Sequence, residues 1–235
     1  MTLSKADVDR CVSAAQADLQ TLGDAYLPRL RAVRKKLSSQ LKKADPRDVI
    51  AAASRFGPNL GRWVGDELIA NHKGAMAALD IETLNRLGTG LASWYAVDSF
   101  GLILAGPAWI AGQISDADVI DWAKSDDLWQ RRLALVCTTA LNSKTRAGKK
   151  AGDVERTLMI VRLTMDDRED MVVKAVSWAL RSLANFEPNA VEAFLAENED
   201  RIAARAKRET RTKLKTGVKT PSQRIRRERA LRAGG

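Results

Sequence analysis

The segment from Ser93 to Phe100, SWYAVDSF, sets an indole and a carboxylate four residues apart. In a helix that spacing is about one turn, so Trp94 and Asp98 share a face. A carboxylate in an otherwise apolar run is either tied down by hydrogen bonds or aimed into a groove, because burying it without partners is costly. A second indole, Trp178, lies in MVVKAVSWALRSL, where Val172, Ala175, Val176, Ala179 and Leu183 form an apolar stripe. At about 100° per residue, Lys174, Trp178 and Arg181 gather well away from that stripe. A cation–indole–cation face suits a nucleic-acid backbone. The alternative is a tryptophan at the edge of the core, stacked under Arg181.

Other chemistries lack their parts. His72 is the only histidine, and Cys11 and Cys137 have no ligand spacing, so the sequence implies no metal and no cofactor. Neither G-x-x-x-x-G-K-[ST] nor G-x-G-x-x-G after a strand occurs, and RAGKKAG (146–152) reads as a flexible basic loop. A Ser-His-Asp system is not expected around one histidine outside any nucleophile motif. One reaction needs only the parts present. An N-alkylated purine nucleotide already carries a positive charge on its base, which can leave neutral without a proton donor. The sugar then passes through an oxocarbenium-like state that needs an anion and a water. One aspartate can serve both needs, and indole faces can hold the cationic nucleoside at about 0.5–2 kcal/mol each.

Helices must position these residues. Helical apolar spacing runs through 6–22 and 27–43. DPRDVIAAASRF opens on Asp45 as N-cap with Pro46 in the first turn. PNLGRWVGDELIAN, SDADVIDWAKS, DDLWQRRLALVCTTALN, DVERTLMIVRLTM, DREDMVVKAVSWALRSLAN and PNAVEAFLAENEDRIAARAKRET continue the pattern, while strand signals are nearly absent. The stretches 87–98, 129–140 and 171–182 align at an offset of 42 residues, with Trp94, Val136 and Trp178 in one column. That period falls in the range of paired-helix HEAT repeats. The expected fold is all-α, a HEAT-like helical-repeat solenoid with a concave basic groove.

Charge is unevenly spread. Residues 201–235 hold 13 Lys or Arg and 2 acidic residues, whereas 1–200 hold 26 basic and 27 acidic. A basic C-terminal segment over a balanced body suits a polyanion, nucleic acid before membrane, since it lacks a large apolar face. No apolar run is long enough to cross a bilayer. The start, MTLSKADVDRCVSAA, lacks a basic n-region followed by an apolar h-region, so no signal peptide is expected.

The segment from about 85 to 215 resembles the HEAT-like DNA alkylation repair glycosylases of the AlkD type. The resemblance rests on SWYAVDS with Trp94 and Asp98, SDDLWQRRLALV with Arg132, VVKAVSWALRSLA with Lys174, Trp178 and Arg181, and KRETRTKL with Arg208 and Glu209. It implies a cytoplasmic, monofunctional enzyme that excises 3-methyladenine and 7-methylguanine from duplex DNA. It further implies that Asp98 stabilises the sugar cation and positions water. Trp94 and Trp178 would contact the sugar and backbone of the damaged nucleotide. Arg132, with Arg131 beside it, Lys174, Arg181 and Arg208 would hold DNA. Residues 1–60 depart from the family pattern, with YLPRLRAVRKKLSSQLKK in place of its aromatic, glycine and proline pattern. The solenoid is expected over 1–215, with a basic, disordered tail over 216–235. No coiled-coil seam is visible, and a monomer is expected. Two readings stay open, a glycosylase for alkylated purines and a non-catalytic HEAT-like binder of DNA or RNA.

Overall fold

The computed structural model describes residues 3–21, 27–57, 60–144, 152–220 and 222. Every described element is a helix, and no strand occurs among the described residues. The architecture is compatible with a helical-repeat solenoid. No helix among these residues is long and apolar enough to cross a membrane. The chain divides into two compact units, Met1–Ile114 and Ser115–Gly235.

The first unit holds α1 (Lys5–Gln20), α2 (Leu27–Gln40), α3 (Pro46–Ala53), α4 (Leu60–Ala70), α5 (Lys73–Ala77), α6 (Ile81–Gly88) and α7 (Trp94–Phe100), with α8 (Gly106–Ile110) beyond a π-helical turn. Asp45 caps α3 as expected, accepting from the Arg47 amide at 2.8 Å, with Pro46 at the first position. α3 and α4 approach very closely at Gly65, where a Cβ would lie 2.6 Å from the Ala53 carbonyl oxygen. α7 starts where Gly90, at φ 76°, breaks the chain after α6 and Ser93 accepts from the Ala96 amide. It runs into the π turn Gly101–Ala105, whose end is marked by Pro107, a residue with no N–H for the helical ladder. Gln113 closes the unit by donating to the carbonyls of Met76 and Leu79 at 2.9 Å each.

The second unit is built from α9 (Asp116–Ala123), α10 (Leu128–Leu141), α11 (Val154–Thr164), α12 (Asp170–Leu183), α13 (Pro188–Glu197) and α14 (Ala204–Thr216). These form pairs, α9 with α10, α11 with α12 and α13 with α14, and the second helices α10, α12 and α14 pack on one another in series. All five residues of the expected stripe on α12 are buried. Val173, Ser177 and Leu180 are buried as well, because α12 has α10 on one side and α14 on the other. The 42-residue offset relates α10 to α12, which are both 14 residues long. It does not extend to 87–98. There Leu87 and Gly88 end α6, residues 89–93 are a loop, and Trp94 begins its helix instead of sitting mid-helix as Val136 and Trp178 do. Leu91 lies outside the helix that carries Asp98.

Two further expectations change. The run 188–210 is two helices, separated where the Asn198 side-chain amide donates to the Phe194 carbonyl and Ile202 is buried in the joint. Residues 217–220 turn back against α14, while the rest of the expected tail, 221 and 223–235, lies outside the described residues, apart from Ser222. The loop 146–151 also lies outside them.

Candidate functional site

In the first unit, α7 presents Trp94 and Asp98 one turn apart. Trp94 is 55% exposed, and Trp94 and Leu163 are the large apolar side chains left exposed among the described residues. An exposed indole at the start of a helix that buries Ala96, Val97 and Phe100 is available for contact with a partner. Tyr95 meets it edge-on, with ring centroids 6.0 Å apart and planes at 86°. Asp98 is half-buried. It is neither sealed in the core nor stranded on open surface.

The foot of this helix is held by a buried ion pair that pattern reading does not find. Asp66 on α4 is 3% exposed. Its Oδ1 accepts from Arg62 Nε at 3.1 Å, and its Oδ2 accepts from the Ser99 hydroxyl at 3.3 Å. Arg62 also donates to the Leu87 carbonyl at the end of α6, and its guanidinium lies 5.1 Å from the centre of the Phe100 ring. One carboxylate and one guanidinium thus tie α4 to the end of α6 and to α7, on both sides of the loop that leads to Trp94. Burial raises the Asp66 carboxyl to about 6, against the opposing pull of Arg62 and Ser99. Burial also raises the Tyr95 phenol, and the nearby Asp66 charge adds to that shift.

In the second unit, Trp178 is half-buried and lines a hollow together with Arg181. Beneath it runs a polar network between α12 and α14. Arg181 Nε donates to Ser177 Oγ at 3.1 Å, and Ser177 donates to Glu209 at 2.7 Å. Arg205 Nε reaches the other Glu209 oxygen at 3.2 Å and its Nη1 reaches Asp170 at 2.8 Å. Lys174 Nζ pairs with the same Asp170 at 2.6 Å. The two predicted cations flanking Trp178 therefore belong to one network. Burial lowers the Arg181 guanidinium below its ordinary value, and Glu209 opposes that shift. Burial pushes Glu209 up, but the bonds from Ser177 and Arg205 and the charges of Lys219 and Arg181 outweigh it, so its carboxyl sits below the ordinary value.

The remaining predicted contacts are placed differently. Arg132 is only 5% exposed, and its Nη1 donates to the Met171 carbonyl at 2.5 Å, which bridges α10 to α12. Arg131 is engaged with Asp167 at 2.7 Å and with the carbonyls of Ser125 and Asp126 at 2.9 and 2.8 Å. Arg208 is exposed on α14 and lines a different hollow, with Glu199, Lys207 and Arg211. Spacing does not single out Arg62, Asp66, Lys213 or Lys219. Asp66 leaves a signal as an acid within the apolar run of α4, and the two lysines lie in the basic segment 201–235.

Fold and side chains together define an all-helical protein with an exposed indole–carboxylate helix face in one unit and a basic, indole-bearing hollow in the other. A family model described as DNA alkylation repair enzyme matches residues 20–214, and the chain belongs to that family. The match takes in α2, which lies in the segment expected to depart from the family pattern. A comparison with curated proteins found no match.

Proposed function

We propose that this protein is a monofunctional DNA N-glycosylase that releases cationic N-alkylated purines, of the 3-methyladenine and 7-methylguanine type, from duplex DNA in the cytoplasm, acting as a monomer. The observation that carries this reading is Trp94, exposed and one turn from the half-buried Asp98, in a chain of the DNA alkylation repair family. The bond between the sugar C1′ and the base nitrogen breaks, and its electron pair neutralises the base. Water adds its oxygen to C1′ and gives up a proton, leaving an abasic sugar and a neutral base. Asp98 is the anion beside the developing sugar cation and the acceptor that orients the water.

At about 4 Å and an effective dielectric of about 20, that carboxylate is worth about 4 kcal/mol. This corresponds to roughly a thousandfold in rate. Trp94 supplies an indole to the cationic nucleotide, and Trp178 is assigned a sugar and backbone contact. Lys174 and Arg181 face the backbone from α12, and Arg208 does so from α14. Arg132 and Arg131 are assigned phosphate contacts.

The test is release of free base from methylated duplex DNA. Wild-type release supports the reading. Tight DNA binding with no release would replace it by a non-catalytic binder.

A further inference from the structure

The hollow beside Trp178 has a second wall, part of which the family match does not reach. It spans about 340 Å³ between α12, which contributes Trp178 and Arg181, with Asn185 in the turn that follows, and the end of α14 with the turn after it, which contributes Lys213, Val218 and Lys219. The match ends at residue 214, so Val218 and Lys219 lie beyond it. We propose that the turn after α14 completes an anion pocket with Arg181 and Lys213, and that this pocket seats one phosphodiester of the DNA backbone beside Trp178. The proposal rests on the reading of DNA as the partner.

The turn is built to bring Lys219 there. Gly217 ends α14 at φ 72°, in the left-handed region that favours glycine, and the chain reverses at that residue. Lys213 Nζ holds the reversed strand by donating to the Gly217 carbonyl at 2.8 Å. Thr216 Oγ1 accepts from the Val218 amide at 3.4 Å. Lys219 then comes within 3.4 Å of Glu209, on the same buried network that holds Arg181 through Ser177.

The charge of the site follows from its members. Arg181, Lys213 and Lys219 line the hollow, and the described lining residues include no carboxylate. The acid beneath, Glu209, is shared with Arg205. Among the described residues, three cations line the hollow over one shared carboxylate, a positive balance that favours an anion. An indole on one wall offers an apolar plate for a sugar, and the volume suits a phosphate together with part of its sugar. A phosphodiester with its deoxyribose combines those features.

The pocket is tested with the full-length chain on undamaged duplex DNA, by anisotropy over a range of salt. Each phosphate contact contributes about 0.9 to the slope of log affinity against log salt. Lys219→Ala is expected to lower the magnitude of that slope by about one. Gly217→Ala, which keeps every charge but strains the turn, is expected to lower it in the same direction. An unchanged slope in both variants, with unchanged melting temperature, would overturn the pocket. Wild type that does not bind DNA would overturn both the pocket and the partner on which it rests. In a parallel arm, saturation by inorganic phosphate or a deoxynucleoside monophosphate below about 1 mM would identify a free-ligand site and overturn the backbone assignment. Undamaged DNA reports nothing on catalysis, so failure of base release by wild type removes the glycosylase reading and leaves the slope result standing.

Discussion

The hydroxyl of Ser99 donates to the Asp66 carboxylate at 3.3 Å, and Ser99 is the chain neighbour of Asp98. The helix that carries the exposed Trp94 is thereby fixed from below by a buried carboxylate, which is itself held by Arg62 on the preceding turn of α4. Rigid support of this kind is what a reacting carboxylate needs, since small displacements of an electrostatic group are costly in rate.

Asp66 gives the protein a specific pH signature. Its facing charges are Arg62 and Glu67 on its own helix, with the Tyr95 phenol and Ser99 hydroxyl on α7. Its folded carboxyl titrates at about 6, above the ordinary 3.8. Between those values the folded chain holds a proton that the unfolded chain has released. The contribution therefore favours folding below about pH 4 and is lost as pH rises through about 6. Relative to wild type, Asp66→Asn is expected to gain about 2–3 kcal/mol between pH 4 and pH 7, measured by urea unfolding. A difference that does not vary with pH would contradict this.

Glu209 shows the opposite sign. Its folded carboxyl lies below the ordinary value, so its contribution is present above about pH 4.5 and is lost as pH falls through the folded value. Glu209→Gln is expected to cost about 1–3 kcal/mol at pH 7, since it weakens the bonds from Ser177 and Arg205. Thermal melts at pH 7 and pH 3 should show that difference shrink in acid.

Trp94 separates function from stability. A side chain so exposed adds little to the core, so Trp94→Ala should change folding stability by no more than about 0.5 kcal/mol. Loss of its contact with a cationic nucleotide should lower base release by about 2- to 30-fold, the equivalent of about 0.5–2 kcal/mol. Unchanged release from methylated DNA would remove Trp94 from the site.

Gly65 tests the packing that places α4. Alanine is intrinsically better than glycine inside a helix by about 1 kcal/mol. Here its Cβ would meet the Ala53 carbonyl oxygen at 2.6 Å. Gly65→Ala is therefore expected to destabilise by about 1–3 kcal/mol, read from chemical unfolding. A stabilised variant would show that α3 and α4 can separate at little cost.

Local signals account for what the sequence reveals. Asp45 caps its helix as residue type and position predict, and Ser115 and Asp127, residues of the same capping kind, open α9 and α10. The stripe on α12 marks its buried side, and Lys174, Trp178 and Arg181 all stay partly exposed beside it. The joint at 198–203 is invisible to periodicity because apolar residues continue on both sides of it. The register of Trp94 is misread because a 42-residue offset that holds between α10 and α12 is carried across a loop. Pairings such as Ser99 with Asp66 and Ser177 with Glu209 bridge about thirty residues and arise only when helices pack, so spacing alone cannot disclose them. The turn at 217–219 hides in a composition that reads as a solvated tail.

The central claim is that Asp98 stabilises a sugar cation, and the most direct test compares wild type with Asp98→Asn in single-turnover release of methylated base from duplex DNA. The account predicts free 3-methyladenine or 7-methylguanine from wild type and a loss of about a hundredfold or more in the variant, with helix content and DNA affinity retained. Equal release by the two proteins would contradict it.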